Sequence, residues 1–182
     1  MSPDAPNIAP TTLPQRSQPA WPSFAVLPLL LLGALAHLVY LLYHCPLDLS
    51  GDEAHYWEWS RHLDLSYYSK GPLIAYVIAA GRWLLADVSQ RLVGSEALAV
   101  RVPAIVLSLI TGVGLYVLTN QTLRASRAAL AVVALTFTVP IFAVGAMLTT
   151  IDAPLACLYV WTLIVVERGL RRFESWPWLF AG

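Results

Sequence analysis

The stretch FAVLPLLLLGALAHLVYLLY, residues 24–43, decides the fold class of this chain. It is uncharged and apolar, and its length is about that of a helix crossing a lipid bilayer. A cleaved signal peptide is the alternative, because Ala34-Leu35-Ala36 matches the small-x-small cleavage pattern. That match lies inside the apolar run, however, and no basic cluster precedes it. We therefore expect an uncleaved first transmembrane helix.

The rest of the chain has the same apolar character. Of its 182 residues, 58% are hydrophobic and only 12% are charged, whereas a soluble domain is charged at roughly a quarter of its positions. The mean hydropathy is +0.64. Three further uncharged runs cover residues 102–123, 128–151 and 153–166. This pattern predicts an all-α integral membrane protein with about four transmembrane helices in the lipid bilayer.

Charge and cysteine spacing argue against two classes of function. The net charge is zero, and no stripe of basic residues with interleaved aromatics is present, so no nucleic-acid partner is indicated. Cys45 and Cys157 are not spaced like a zinc site, and Cys157 lies inside an apolar run. We interpret both as small apolar residues.

Residues 72–86 form an apolar segment that fails the length test, because Arg82 interrupts it after about ten residues. Such a segment suits an interfacial or re-entrant helix better than a span. If it does not cross, the arginines that follow the second and fourth spans lie on the side of the N-terminal tail. The positive-inside rule then makes that side cytoplasmic. These arginines are Arg124, Arg127, Arg168, Arg171 and Arg172.

The predicted organisation follows from these choices. A disordered cytoplasmic tail (1–22) precedes the first span (23–43), and an external loop with amphipathic juxtamembrane helices and the candidate catalytic motif covers 44–100. Three more spans are expected, at 101–123, 128–150 and 152–168. Residues 169–182 are expected to be a cytoplasmic turn and the start of a next, truncated span.

Residues 49–63 of the external loop have the pattern of an amphipathic helix. Ser50 and Glu53 form a capping box, which places the acids in the first turn. Four side chains then share one face, and an acid, an imidazole and two aromatic rings would suit a sugar site. They are Asp52, His55, Tyr56 and Trp59. The alternative is structural, because the helix dipole favours acids in a first turn and membrane interfaces are rich in Trp and Tyr.

Two basic residues are candidate ligands for a phosphate. Lys70 precedes Pro72, which suits the first position of a new helix, so an ammonium and free N–H groups would lie together. Arg101 lies at the outer start of the second span. For each residue the alternative is an interfacial anchor whose side chain reaches toward water.

Asp152 is the other informative acid, since it lies between two apolar runs. With four spans it lies at the external end of the third and fourth, on the same side as Asp52. Ionisable groups at membrane depth are costly, so a functional role is the default hypothesis. Helix capping is the alternative, because Thr150 or Asp152 could start the fourth helix with Pro154 in its first turn.

Ordered motifs over residues 45–170 resemble one known group of enzymes. They are Asp52-Glu53 in the first loop, Ser69-Lys70-Gly71-Pro72 after it, Glu96 with Arg101-Val102-Pro103 at the next span, and Asp152 after the third. Their order and spacing resemble the protein O-mannosyltransferase and lipid A aminoarabinose transferase superfamily. The resemblance implies a membrane glycosyltransferase with the GT-C fold that uses a polyprenyl-phosphate sugar.

The resemblance also implies roles for individual residues. By it, Asp52 is the catalytic aspartate of the first loop and Glu53 its partner. Lys70 corresponds to a lysine near the lipid phosphate, and Asp152 to a second active-site aspartate.

Two positions depart from the aminoarabinose transferase pattern. Those enzymes have Glu-Lys-Pro-Pro where this chain has Ser69-Lys70-Gly71-Pro72, and the missing glutamate belongs to a proposed metal site. They also have Arg in place of His55. We therefore assign no metal ligand, and both a divalent cation as cofactor and the identity of the sugar stay open.

The sequence favours transfer of a sugar from a polyprenyl-phosphate donor to an extracytoplasmic acceptor by a multi-pass enzyme of the plasma (inner) membrane. The acceptor would be a protein, lipid A or another cell-envelope glycan. We expect catalysis by Asp52, Glu53 and Asp152. The expected substrate-binding residues are Lys70, His55, Tyr56, Trp59 and Arg101. Members of the superfamily continue through many more spans, so we expect little activity from these 182 residues alone.

The alternative is a non-catalytic membrane protein, such as a transporter segment or an interaction subunit. Transporters place ionisable residues near the bilayer midplane and often contain inverted repeats. Here the acids lie at one interface and no repeat is visible, which favours the enzyme.

Overall fold

The computed structural model describes residues 21–45, 48–68 and 70–172, and these ranges contain seven α-helices and no strand. In chain order the helices are α1 (Trp21–Tyr43), α2 (Gly51–Arg61), α3 (Leu73–Val93), α4 (Ala97–Leu123), α5 (Ser126–Thr138), α6 (Pro140–Gly145) and α7 (Asp152–Arg172). Residues 1–20 of the predicted tail and residues 173–182 of the predicted final segment lie outside the described residues.

Three of these helices are long and apolar enough to cross a bilayer. They are Phe24–Tyr43 within α1, Ala97–Leu123 in α4 and Asp152–Arg171 within α7. The chain is therefore an all-α membrane protein, as its sequence predicts. α3 is not one of these three helices, and it carries Arg82, Asp87 and Arg91 along its length.

The segment predicted as one span over 128–150 is divided in the structure. α5 ends at Thr138, Val139 has an extended backbone with ψ of 119°, and α6 begins at Pro140. Proline lacks an N–H and disfavours the helical conformation of the residue before it, so a continuous helix breaks here. The third apolar run is thus a 13-residue helix followed by a 6-residue helix.

Small residues let the long helices approach one another. Gly33 of α1 makes room for the ring of Phe137 in α5, and Gly114 of α4 makes room for Val160 in α7. Close backbone approach at small residues is the usual way in which helices associate in a membrane, where burying apolar surface gives no advantage over lipid contact. α4 is the centre of this arrangement, since α1, α3, α5 and α7 all pack against it.

α3 and α4 run antiparallel where they meet, and α2 packs on α3. The Ser89 hydroxyl donates to the carbonyl of Ser95 at 2.7 Å and accepts from the Ala99 N–H at 3.2 Å. Tyr56 of α2 lies in one apolar cluster with Ile74 of α3. These contacts fix α2 at the end of the bundle where α1 ends and where α4 and α7 begin.

Gly81 is the closest point of contact between α3 and α4. A Cβ atom there would lie 2.4 Å from Pro103 Cγ and 2.5 Å from the carbonyl oxygen of Ala99. Since that oxygen belongs to a helix backbone, we expect Gly81→Ala to destabilise the chain by about 1–3 kcal/mol, measured by thermal unfolding in detergent. Gly71→Ala is the matched control, because nothing lies within 4 Å of a Cβ at that position. An unchanged midpoint for Gly81→Ala would contradict the close approach.

Candidate functional site

The start of α2 has the capping box that the sequence predicts. The Ser50 hydroxyl accepts from the Glu53 N–H at 3.3 Å, and the Glu53 carboxylate accepts from the Ser50 N–H at 3.0 Å. Reciprocal capping satisfies two backbone donors at the helix start. It also places Asp52 in the first turn, with an exposed side chain.

The Glu53 carboxylate joins three parts of the chain. It accepts from Arg101 Nε at 3.1 Å and from Arg101 Nη2 at 2.8 Å, which is a bidentate ion pair. It also accepts from the Thr149 N–H at 3.1 Å, and the Thr149 hydroxyl donates to the Val100 carbonyl at 2.6 Å. This carboxylate therefore connects α2, α4 and the segment between α6 and α7.

Neither partner of this ion pair faces solvent. Glu53 is 0% exposed and Arg101 is 3% exposed. Arg101 is also within hydrogen-bond distance of Cys45 Sγ, at 3.3 Å, and of the Asp48 carbonyl, at 2.9 Å. The structure thus places these two predicted site residues behind Asp52, where they support α2.

Tyr56 is a buried side chain that lies near both predicted aspartates. Its side chain is 5% exposed, while Asp52 and Asp152 are both exposed. Burial raises the pKa of Tyr56, and the negative charges of Asp52 and Asp152 raise it further. Asp52 lies about one helical turn before Tyr56, and Ile151, which precedes Asp152, packs against the apolar cluster that contains Tyr56. Both carboxylates therefore lie near Tyr56.

Asp152 is held at the start of α7 by its neighbour Thr150. The Thr150 hydroxyl accepts from the Asp152 N–H at 3.4 Å and lies 3.2 Å from the Asp152 carboxylate. A hydroxyl two residues earlier thus serves as a local cap. Asp152 therefore lies at a capped helix start, which is the structural alternative that the sequence offers for it. It also lies near Tyr56 of α2, because its neighbour Ile151 packs against the cluster that contains Tyr56.

The predicted aromatic face is packed against protein rings. Tyr67 stacks on Trp59 with centroids 4.4 Å apart and an angle of 8°, and His55 lies 4.5 Å from the same ring. The Tyr67 hydroxyl accepts from the Asp64 N–H at 3.0 Å. It also lies 3.1 Å from the Trp59 carbonyl. Trp59 therefore anchors the loop after α2, a role that the sequence reasoning did not assign to it.

Lys70 lies two residues before Pro72, the N-cap position of α3, and its side chain is exposed. This is the placement that the sequence indicates. Nothing in the described contacts joins Lys70 to Asp52 or Asp152, so its role stays a prediction.

A second polar cluster, which sequence reasoning missed, holds the other end of α2. The Glu96 carboxylate accepts from Trp57 Nε1 at 2.7 Å and from Arg82 Nε at 2.6 Å. These two bonds, that of Arg82 first, lower the pKa of Glu96. Arg82 also donates to the Ser60 hydroxyl at 3.3 Å. The arginine that interrupts the apolar run of α3 is thus the residue that ties α3 to α2 and to the start of α4.

The described ranges contain no group of three or more His, Cys, Asp or Glu side chains that could hold a metal ion. Ser69 lies outside the described residues. The described site includes two exposed carboxylates, those of Asp52 and Asp152, and the buried phenol of Tyr56.

The Glu53 pair makes a pH dependence testable. Burial alone would raise the pKa of Glu53, but hydrogen bonds from Arg101, Ser50 and Thr149 outweigh it and lower the pKa below its ordinary 4.5. A carboxyl whose pKa is lower in the folded state stabilises the folded state at pH values above its ordinary pKa. This stabilisation is lost as the pH falls through the lowered pKa.

We therefore expect the unfolding midpoint to drop as the pH falls below about 4.5, by about 2–4 °C for each kcal/mol lost. Differential scanning fluorimetry in detergent measures this. The slope of the unfolding midpoint against pH below about 4.5 should be smaller in Glu53→Gln. In Glu58→Gln, which changes an exposed position of the same helix, this slope should equal that of the unsubstituted chain. Equal slopes in all three proteins would exclude Glu53 as the titrating group.

Comparison with known proteins identifies the family. The family model for dolichyl-phosphate-mannose-protein mannosyltransferase matches residues 69–182. A lipid A galacturonosyltransferase of Rhizobium johnstonii is 50% identical over 52 residues, which are 29% of this chain and 11% of that protein. The match thus spans about a tenth of the relative's length. No solved structure matches the chain. Because the family model covers more than half of it, this chain belongs to the dolichyl-phosphate-mannose-protein mannosyltransferase family.

Proposed function

We propose that the chain carries the catalytic aspartate of a membrane glycosyltransferase, which moves a sugar from a polyprenyl-phosphate donor to an extracytoplasmic acceptor. The observation that carries this proposal is the placement of both aspartates near Tyr56, at the end of the bundle where two spans begin. Asp52 lies one turn before Tyr56 in α2, and Ile151, the neighbour of Asp152, packs against the cluster that contains Tyr56. Family membership and the similarity to a lipid A galacturonosyltransferase support it. The acceptor would be a protein, lipid A or another cell-envelope glycan.

The proposed reaction is an inverting displacement at the anomeric carbon. An acceptor oxygen forms the new bond to this carbon while the bond from the carbon to the phosphate oxygen breaks, and the polyprenyl phosphate leaves with the electron pair. Asp52 accepts the proton of the attacking hydroxyl, or orients the oxygen when the acceptor is already ionised. A positioned carboxylate contributes about 10²–10⁴-fold to such a step.

Other residues of the site have supporting roles in this proposal. Lys70 neutralises the charge that develops on the departing phosphate. Asp152 orients acceptor or donor hydroxyls beside Asp52. Glu53 and Arg101 are positioning residues, because both are buried and the pair fixes the first turn of α2.

The proposed side of the membrane follows from charge. Asp52 and Asp152 lie at the end of the bundle opposite the α4–α5 turn, which carries Arg124 and Arg127. The positive-inside rule assigns the arginine end to the cytoplasm. The aspartates then face the extracytoplasmic side of the plasma (inner) membrane.

The test is a deletion of the whole gene in its own host, followed by mass spectrometry of lipid A, envelope glycans and glycoproteins. We expect one sugar to disappear from one acceptor class and the matching polyprenyl-phosphate sugar to accumulate. The sugar should return when the full-length gene is supplied. A complete set of envelope sugars, with no lipid-linked donor accumulating, would contradict the proposal and favour the non-catalytic alternative.

A further inference from the structure

The end of the bundle opposite the aspartates carries a group of arginines. We call it the arginine face, and it comprises Arg124, Arg127, Arg168 and Arg171. Arg124 and Arg127 flank the turn between α4 and α5, and the other two lie in the last turns of α7. All four side chains are exposed.

A direct contact brings the two groups of arginines together. With its amide oxygen toward the guanidinium, Gln121 accepts from Arg168 Nη2 at 2.9 Å and from Arg168 Nε at 3.3 Å. Arg124 follows Gln121 by three residues, which is about one helical turn. The end of α4, where Arg124 is the C-cap residue, therefore lies beside Arg168 of α7.

Two of these arginines are not paired with an acid in the part of the chain that the structure describes. Arg171 is paired with Glu167, whereas Arg124 and Arg168 have no acidic partner among the described residues, and Arg168 instead contacts the neutral Gln121. At the opposite end, by contrast, Arg82 and Arg101 are each paired with a glutamate.

The conformation of Arg124 also points to a role for its charge. It is the C-cap residue of α4 with φ of 49°, and it is the non-glycine residue with positive φ in the described part of the chain. Glycine or asparagine usually occupies such a position, because either adopts this conformation more readily. The backbone therefore gives no reason for an arginine here.

The arginine face lies where the spans Ala97–Leu123 and Asp152–Arg171 end. When both helices cross the bilayer, their ends lie at the level of the lipid headgroups. Guanidinium groups present planar pairs of donors that match the oxygens of a phosphodiester. Clusters of basic residues beside a transmembrane helix attract anionic lipids.

We propose that the arginine face binds the headgroup of an anionic phospholipid in the leaflet opposite to Asp52. The Gln121–Arg168 contact sets the spacing of the guanidinium groups, so the face is a binding surface for lipid in addition to a determinant of orientation. This proposal does not depend on the proposed glycosyltransferase activity.

Native mass spectrometry of the purified chain, titrated with phosphatidylglycerol or phosphatidylcholine, tests the proposal. We expect preferential binding of phosphatidylglycerol, weakened by added salt. Each arginine near the surface contributes about fivefold in affinity. The double variant Arg124→Gln/Arg168→Gln should therefore lose about 25-fold, the product of two such factors.

Two further variants separate loss of charge from loss of structure. Arg124→Lys/Arg168→Lys keeps both charges and should retain most of the affinity for phosphatidylglycerol. Arg61→Gln/Arg91→Gln removes two exposed arginines from the opposite end of the bundle. This variant should leave the affinity for phosphatidylglycerol unchanged. Equal binding of the two lipids by the unsubstituted chain would overturn the proposal. An equal loss of affinity in the Arg61/Arg91 variant would overturn it as well.

Discussion

Substitution of Arg101 by alanine should destabilise the packing of α2 by about 3–5 kcal/mol. The Glu53 carboxylate would stay buried at 0% exposure without its cation, and two of its bonds, at 3.1 and 2.8 Å, would be lost. An uncompensated buried charge is far more costly than the loss of an exposed ion pair. We expect α2 to detach from α4 while the long helices stay in the membrane.

Hydrogen exchange of the α2 amides measures this effect directly. Arg61→Ala is the matched control, because Arg61 pairs with Glu58 at the surface, with side chains about half exposed, and such pairs contribute about 0–1 kcal/mol. Glu53→Leu/Arg101→Met, which removes both charges, should recover part of the protection. If Arg101→Ala exchanges no faster than Arg61→Ala, the buried pair does not hold α2.

Substitution of Asp52 by asparagine in the full-length enzyme should lower the rate of sugar transfer by about 10²–10⁴-fold. Asparagine keeps the size of the side chain but cannot accept a proton from the acceptor. Because Asp52 is exposed and the capping box is made by Ser50 and Glu53, the fold should not change. The effect should therefore appear in kcat, with similar binding of the donor.

Two variants make the Asp52 experiment specific. Asp152→Asn should also reduce transfer, whereas Glu58→Gln, on the same helix as Asp52, should retain nearly full activity. Hydrogen exchange of α2 must match the unsubstituted enzyme in each variant, since a loosened helix would also reduce the rate. Retained transfer by a folded Asp52→Asn enzyme would remove this residue from the mechanism.

Features that depend on neighbouring residues could be predicted from the sequence. The Ser50–Glu53 capping box is confirmed, because its partners are three residues apart and its geometry is that of any helix start. The all-α membrane fold and the family resemblance are also confirmed. Both could be predicted because long apolar runs and short motifs can be read directly along the sequence. The length of the apolar run around Pro140 predicts one helix, whereas the structure has a break at this proline.

Features that depend on distant contacts could not be predicted in this way. Arg101 and Thr149 meet Glu53 across 48 and 96 residues of chain, so nothing in local spacing shows that this acid is buried. Trp57 and Glu96 are likewise 39 residues apart. Trp59 satisfied the pattern of a sugar-binding face, but Tyr67 from the following loop stacks on it. Whether an aromatic ring faces a ligand or the protein depends on such tertiary contacts.

In the proposed function, Asp52 and Asp152 share one extracytoplasmic compartment. Single-cysteine accessibility tests it most directly, in a chain whose native Cys45 and Cys157 are replaced by alanine. Intact cells are treated with a membrane-impermeant maleimide, and labelling is compared with that of permeabilised cells.

The reporters are Gly51→Cys, Gln90→Cys, Ala125→Cys and Ala153→Cys. We predict that the first, second and fourth label in intact cells, while Ala125→Cys labels only after permeabilisation. If Ala153→Cys also requires permeabilisation while Gly51→Cys does not, the two aspartates lie on opposite sides of the membrane, and a site built from both cannot exist.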